Sequence, residues 1–200
     1  MEIKSLAPHA IDARFPSDRV GCEKGHVEAA RLLLDNGAEV DRARENGCTP
    51  LWIACANGHA SLAQSLWERG AKIHRASKDG ATPIFAACQK GHVDAVRLLL
   101  DNGAEIDQAD RWGTTPLDAA KKYRHDAVVA LLEEHLDLKF PLHAAARTGD
   151  VEAMTQLLDG GAEVDAKKDG ATPLFVACEG GHVDAARLLL ERGAVVDSSA

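Results

Sequence analysis

The chain has 200 residues, 46% apolar and 27% charged, with a formal net charge of −8. That mixture excludes a disordered chain, and the acidic balance argues against nucleic acid and anionic membranes as partners. Only 4 Phe, 3 Trp and 1 Tyr are present, so alanine and leucine carry the apolar content, which suits closely packed helices and suits strands poorly.

No run approaches the roughly 18 apolar residues of a membrane-spanning helix, and residues 1–9 lack the apolar stretch of a signal peptide. Five cysteines, an odd number, fit a reducing compartment better than a disulfide framework. The expectation is an intracellular protein, cytoplasmic with the nucleus left open, and a monomer.

Taken in chain order, the same landmarks return. Gly-His occurs at Gly25-His26, Gly58-His59 and Gly91-His92, each 33 residues after the last; His125 continues the series and Gly181-His182 is a later copy. Thr-Pro follows the same spacing at Thr49-Pro50, Thr82-Pro83 and Thr115-Pro116, with Thr172-Pro173 further on. Gly-Ala recurs at residues 37, 70, 103, 161 and 193. Residues 79–110 show how one copy folds. Thr82 caps a short helix that Pro83 starts without loss, since an N–H there has no partner anyway. Gly91 stops that helix with a positive φ. Val93, Val96, Leu98, Leu99 and Leu100 line a second helix whose Asp94, Arg97 and Asp101 face water, and Gly103 ends it. Two such short helices cannot bury their own apolar face, and stacked neighbours bury it jointly.

The string from Asp79-Gly80-Ala81-Thr82-Pro83 through Gly91-His92, Leu98-Leu99-Leu100 and Gly103-Ala104 resembles the ankyrin repeat, and the resemblance covers roughly residues 16–200. It implies an all-α fold, a solenoid of stacked helix-turn-helix units with β-hairpin fingers. The expected organisation is an N-terminal extension at 1–15, poorly ordered or capping, followed by an array over 16–200. Its copies fall at about 14–46 (degenerate), 47–79, 80–112, 113–138 (lacking its hairpin), 139–169 and 170–200. In the first copy Ser17-Asp18 stand where Pro-Leu is expected and Gly21 where Ala is, so its first helix should be weak. Pro141 follows Pro116 by only 25 residues, eight short of the period, and Leu136, Leu138 and Phe140 bridge directly to the next helix. Either the helices stack through this gap or two arrays hinge at 135–140; those three apolar side chains want burial and favour continuous stacking. Near residue 200 no polar capping repeat is seen. This is expected either of a fragment or of a last helix polar enough to serve as the cap.

Cys-x3-His at Cys22/His26, Cys55/His59, Cys88/His92 and Cys178/His182 invites a zinc reading. The glycine between each pair breaks the helix, so the two side chains do not share a face. Equivalent slots in stacked copies lie about 9–10 Å apart, whereas zinc ligands converge within about 2.3 Å of one ion. The four cysteines are expected to fill one buried slot, leaving Cys48, in a finger, as the exposed thiol. No metal, cofactor or catalytic residue is expected: a nucleophile elbow and a phosphate loop are both missing from the sequence. The resemblance also implies that Thr and His of a Thr-Pro-Leu-His string bond each other. No copy here keeps both, since Trp52, Phe85, Asp118 and Phe175 occupy the His slot; Thr115 and Asp118 can form a capping box instead, and the other copies are expected to rely on aromatic packing.

The family resemblance points function to the surface. Partners of such stacks meet the finger tips and the exposed turn of the first helices. Those slots hold Asn57, Gln89, Lys90, Arg111, Trp112, Lys122, Tyr123 and Arg147, basic and aromatic at the centre although the chain is acidic. The expected function is a protein-interaction module, an adaptor or scaffold binding an acidic or phosphorylated protein segment, with Trp112 and Tyr123 as anchors. The alternatives are an inhibitor-type regulator docked on an enzyme, and a piece of a larger multidomain ankyrin protein.

Overall fold

The computed structural model describes residues 23–168 and 170–196. These contain eleven helices: α1 (Val27–Asp35), α2 (Pro50–Ala56), α3 (Ala60–Glu68), α4 (Pro83–Lys90), α5 (Val93–Asp101), α6 (Pro116–Lys122), α7 (Asp126–Lys139), α8 (Pro141–Thr148), α9 (Val151–Asp159), α10 (Pro173–Glu179) and α11 (Val183–Glu191). The expected N-terminal extension, the first helix of the first copy, Cys22 and residues 197–200 lie outside the described residues. No described helix is long and apolar enough to cross a membrane.

The chain divides into two compact units, with the boundary between Leu132 and Glu133. In the first, the short helices α2, α4 and α6 stack as one layer and α1, α3 and α5 as a second. In the second unit α8 and α10 stack as one layer and α9 and α11 as the other. Each unit is thus a run of helix-turn-helix repeats. Leu51, Leu62, Leu66, Ile84, Val96 and Leu99 form the buried centre of the first. Leu142, Met154, Leu174, Ala177 and Leu189 form that of the second.

The helix boundaries follow from capping chemistry. Thr49, Thr82, Thr115 and Thr172 each accept a hydrogen bond from the backbone N–H three residues on, and a proline occupies the first turn after each. That hydroxyl satisfies one of the N–H groups a helix start leaves without a partner. Gly91 closes α4 at φ 75°, a conformation that costs an L-residue with a Cβ about 1–2 kcal/mol.

Three expectations need correction. The fingers are turns rather than β-hairpins. Among the described residues a single antiparallel bridge occurs, Lys168 with Ala171. Each finger tip is closed by two backbone bonds, as where Ser77 N–H donates to Ala81 O at 2.9 Å and Gly80 N–H to Ser77 O at 3.0 Å. Second, the apolar side chains of the bridge are not all buried. α7 runs unbroken to Lys139, burying Leu136 while leaving Leu138 78% exposed. Helical geometry turns Leu138 away from the side that buries Leu132 and Leu136. Phe140 is half-buried, its ring edge-on to His143. Third, the cysteines do not sort as expected. Cys55 and Cys88 are buried and Cys178 is exposed, because no described repeat covers that slot in α10. Cys48 is only 4% exposed: the following finger closes over its turn, with Lys78 N–H donating to Asn46 O at 2.9 Å.

Candidate functional site

A cleft of about 460 Å³ opens in the first unit between the end of α4, the finger at 110–114 and α6. Four of the residues picked out in the sequence line it: Gln89, Trp112, Lys122 and Tyr123. Phe85, Asp110, Thr114 and Ala119 complete it. The finger holds its shape through Asp110, whose Oδ1 accepts from Trp112 N–H at 2.9 Å and Thr114 N–H at 3.0 Å. This fixes the backbone of Trp112 and leaves its indole 65% exposed; Tyr123, the C-cap of α6, is 49% exposed. Arg111 lays its guanidinium 4.2 Å from the centre of the Trp112 ring and pairs with Asp79 at 2.8 Å. The Lys122 ammonium lies 5.8 Å from the Tyr123 ring. Cations over ring faces are favoured by the ring quadrupole, so both aromatics stand at the rim beside positive charge.

The remaining sequence candidates are placed differently. Lys90 is exposed at the end of α4. Asn57 caps the C-terminus of α2 and donates its amide to Ile53 O at 2.8 Å, so that donor is engaged in the helix. Arg147 belongs to the second unit. There it pairs with Asp137 at 2.6 Å and lines a separate cavity of about 500 Å³ along α8 and α9.

Electrostatics around α6 are set locally. Thr115 and Asp118 form the expected capping box: Thr115 N–H donates to Asp118 Oδ2 at 3.0 Å, and Asp118 N–H to Thr115 Oγ1 at 3.2 Å. The Thr115 hydroxyl, then the Thr115 N–H, hold the Asp118 carboxyl below the usual range. Burial alone pushes the Cys55 and Cys88 thiols up to about 12, which keeps them protonated and unreactive at neutral pH. Among the described residues no cluster of three or more His, Cys, Asp or Glu side chains could hold a metal ion.

The histidines that open the second helices tie one repeat to the next. His59 donates from Nε2 to Glu23 O (2.8 Å), His92 to Ala56 O (3.2 Å) and His125 to Gln89 O (3.0 Å). In the second unit His182 donates to Arg147 O at 2.9 Å. A carbonyl can only accept, so Nε2 carries the proton. The slot that faces the following repeat's threonine is used the same way by Trp52, whose Nε1–H donates to Ala81 O at 3.0 Å, and by His143, bonded to Ala171 O at 3.1 Å. Trp52 therefore keeps a hydrogen bond where packing alone was expected. Only Phe85 of the aromatics in that slot is buried by packing, and Phe175 is 58% exposed.

Family profiles described as ankyrin repeats (3 copies) match residues 69–140 and 135–200, and one described as ankyrin repeats (many copies) matches residues 20–66. The chain belongs to the ankyrin-repeat family. Ankyrin repeats are generally protein–protein interaction modules. No curated protein matches the chain.

Proposed function

We propose that this protein is an adaptor-type interaction module that binds an acidic or phosphorylated protein segment in the cleft between α4, the 110–114 finger and α6. The observation that carries this reading is the pair of exposed aromatics, Trp112 and Tyr123, flanking one cleft. A large aromatic left in water on a short loop is a poor choice for stability and a good one for an interface, where such residues dominate binding energies. Arg111 and Lys122 supply positive charge beside the two rings, partly offset by Asp79 and Asp110. Arg147, in its own unit, and Asn57, tied to its helix, are secondary in this reading.

Binding rather than catalysis fits a site whose lining acid, Asp110, is committed to holding the finger backbone. A cytoplasmic location fits the free cysteines. The test is a titration of defined peptides, one acidic, one phosphorylated and one basic, at low and high salt. The acidic or phosphorylated peptide should bind and weaken as salt rises. Preference for the basic peptide, or binding indifferent to salt, would refute the acid selectivity.

A further inference from the structure

Each unit joins its repeats through the same socket. A loop glycine in the left-handed region receives the histidine ring of the next repeat, and the carbonyl two residues before that glycine accepts the ring's Nε2–H. A Cβ placed at Gly25, Gly58, Gly91 or Gly149 would stand 2.5–2.6 Å from Nδ1 of His59, His92, His125 or His182. Where the glycine slot instead holds Arg124, the following repeat opens its second helix with Asp150, so the two halves of the socket change together. Gly181 keeps the socket, at φ 72°, yet nothing lies within 4 Å of its Cβ position. Beside it Cys178, Val183 and Leu190 line a largely apolar groove of about 420 Å³. Val183 is 68% and Leu190 47% exposed, whereas Cys88 and Leu100, in the same slots as Cys178 and Leu190, are 0% and 7% exposed under the next repeat.

The same chain carries the matching half. His26 opens α1 in the histidine slot, with no side-chain bond to the helix it starts, and its ring makes no hydrogen bond to another described residue. Leu32, six residues on, is 64% exposed. Its counterpart Ser65 is buried and accepts from Arg31 of the preceding repeat at 3.0 Å, so this slot faces backwards along the stack.

We propose that a second copy of this chain docks head to tail: His26 of one copy seats over Gly181 of the other and donates to Glu179 O, while Leu32 covers Arg187 and the Val183–Leu190 groove. This surface is independent of the cleft. It replaces the monomer expected from the sequence with a concentration-dependent, heterologous assembly that grows unless a ring closes.

The test is sedimentation velocity on the full chain from micromolar to millimolar concentration. Wild type should rise above its 21.3 kDa chain mass, and His26→Ala and Leu190→Glu should each lose that rise. Mixed together, the two variants retain one intact head and one intact tail, so they should form a species of twice 21.3 kDa and nothing larger. Leu32→Glu and Val183→Glu, both at exposed positions, serve if either first variant fails to fold by circular dichroism. A wild type monomeric throughout would overturn the proposal. So would association lost in Leu190→Glu but intact in both head variants, or a mixture that stays monomeric.

Discussion

Gly58 has two reasons to be glycine, and they can be separated. Its φ of 75° disfavours any side chain, and His92 Nδ1 would stand 2.6 Å from a Cβ there. Gly181 has a similar φ but open space around its Cβ position. Gly58→Ala should therefore destabilise beyond the backbone cost of about 1–2 kcal/mol, while Gly181→Ala should cost no more than that. Urea unfolding at low protein concentration measures both, and His92→Ala should relieve part of the Gly58→Ala loss. Equal losses for the two glycines would mean the ring contact contributes nothing. The thiols give a second test at this scale. Cys55 and Cys88 are held up to about 12 by burial, above the roughly 8.5 of an unfolded thiol. Their raised folded values mean stability is intact below about 8.5 and is lost as pH rises toward 12, by up to about 1.4 kcal/mol per pH unit for each thiol. Cys55→Ala should flatten that alkaline slope. Iodoacetamide should label Cys178 in the native protein and reach Cys55 and Cys88 only on unfolding.

At the scale of an element, the helix starts were readable because a Thr-Pro pair states its own chemistry: an acceptor for an orphan N–H, then a residue lacking one. The glycine–histidine socket was not, because the glycine also reads as a simple helix break, and its true partner lies a full repeat further on, as at Gly58 and His92. The recurrence of the two slots at fixed spacing was the available signal. The Thr115–Asp118 box makes a prediction for α6. Thr115→Ala should cost about 1 kcal/mol at neutral pH. Because the Asp118 folded pKa is depressed, the carboxylate's share of this stability is present above about pH 4 and lost as pH falls through the folded value. Denaturation of wild type and Asp118→Asn should therefore converge in acid; a gap that persists below that range would assign the effect to something other than the charge. Leu138 and Cys178 show where slot logic fails. It assumes a neighbour above every repeat, so it misjudges a helix that simply continues and a repeat with no described neighbour.

For the whole molecule, the net charge of −8 was a poor guide to the site. Arg111 and Lys122 stand beside the cleft's two exposed rings, but Asp79 and Asp110 hold Arg111 and the finger backbone in position. Gln89, Trp112, Lys122 and Tyr123 were legible as surface candidates from repeat register alone, since the finger tip and the end of the first helix recur at fixed places in the period. Phe85, Asp110 and Thr114 were not, because their roles depend on how one finger packs against its neighbours. The most direct measurement is fluorescence anisotropy of an acidic or phosphorylated peptide titrated with wild type, Trp112→Ala and the control Trp67→Ala, which removes a partly exposed indole on α3 outside the cleft. Trp112→Ala should weaken binding by about 2 kcal/mol, roughly thirtyfold in Kd, with Trp67→Ala near wild type. Unchanged affinity in Trp112→Ala, or equal losses in both variants, would contradict the assignment of the cleft as the binding site.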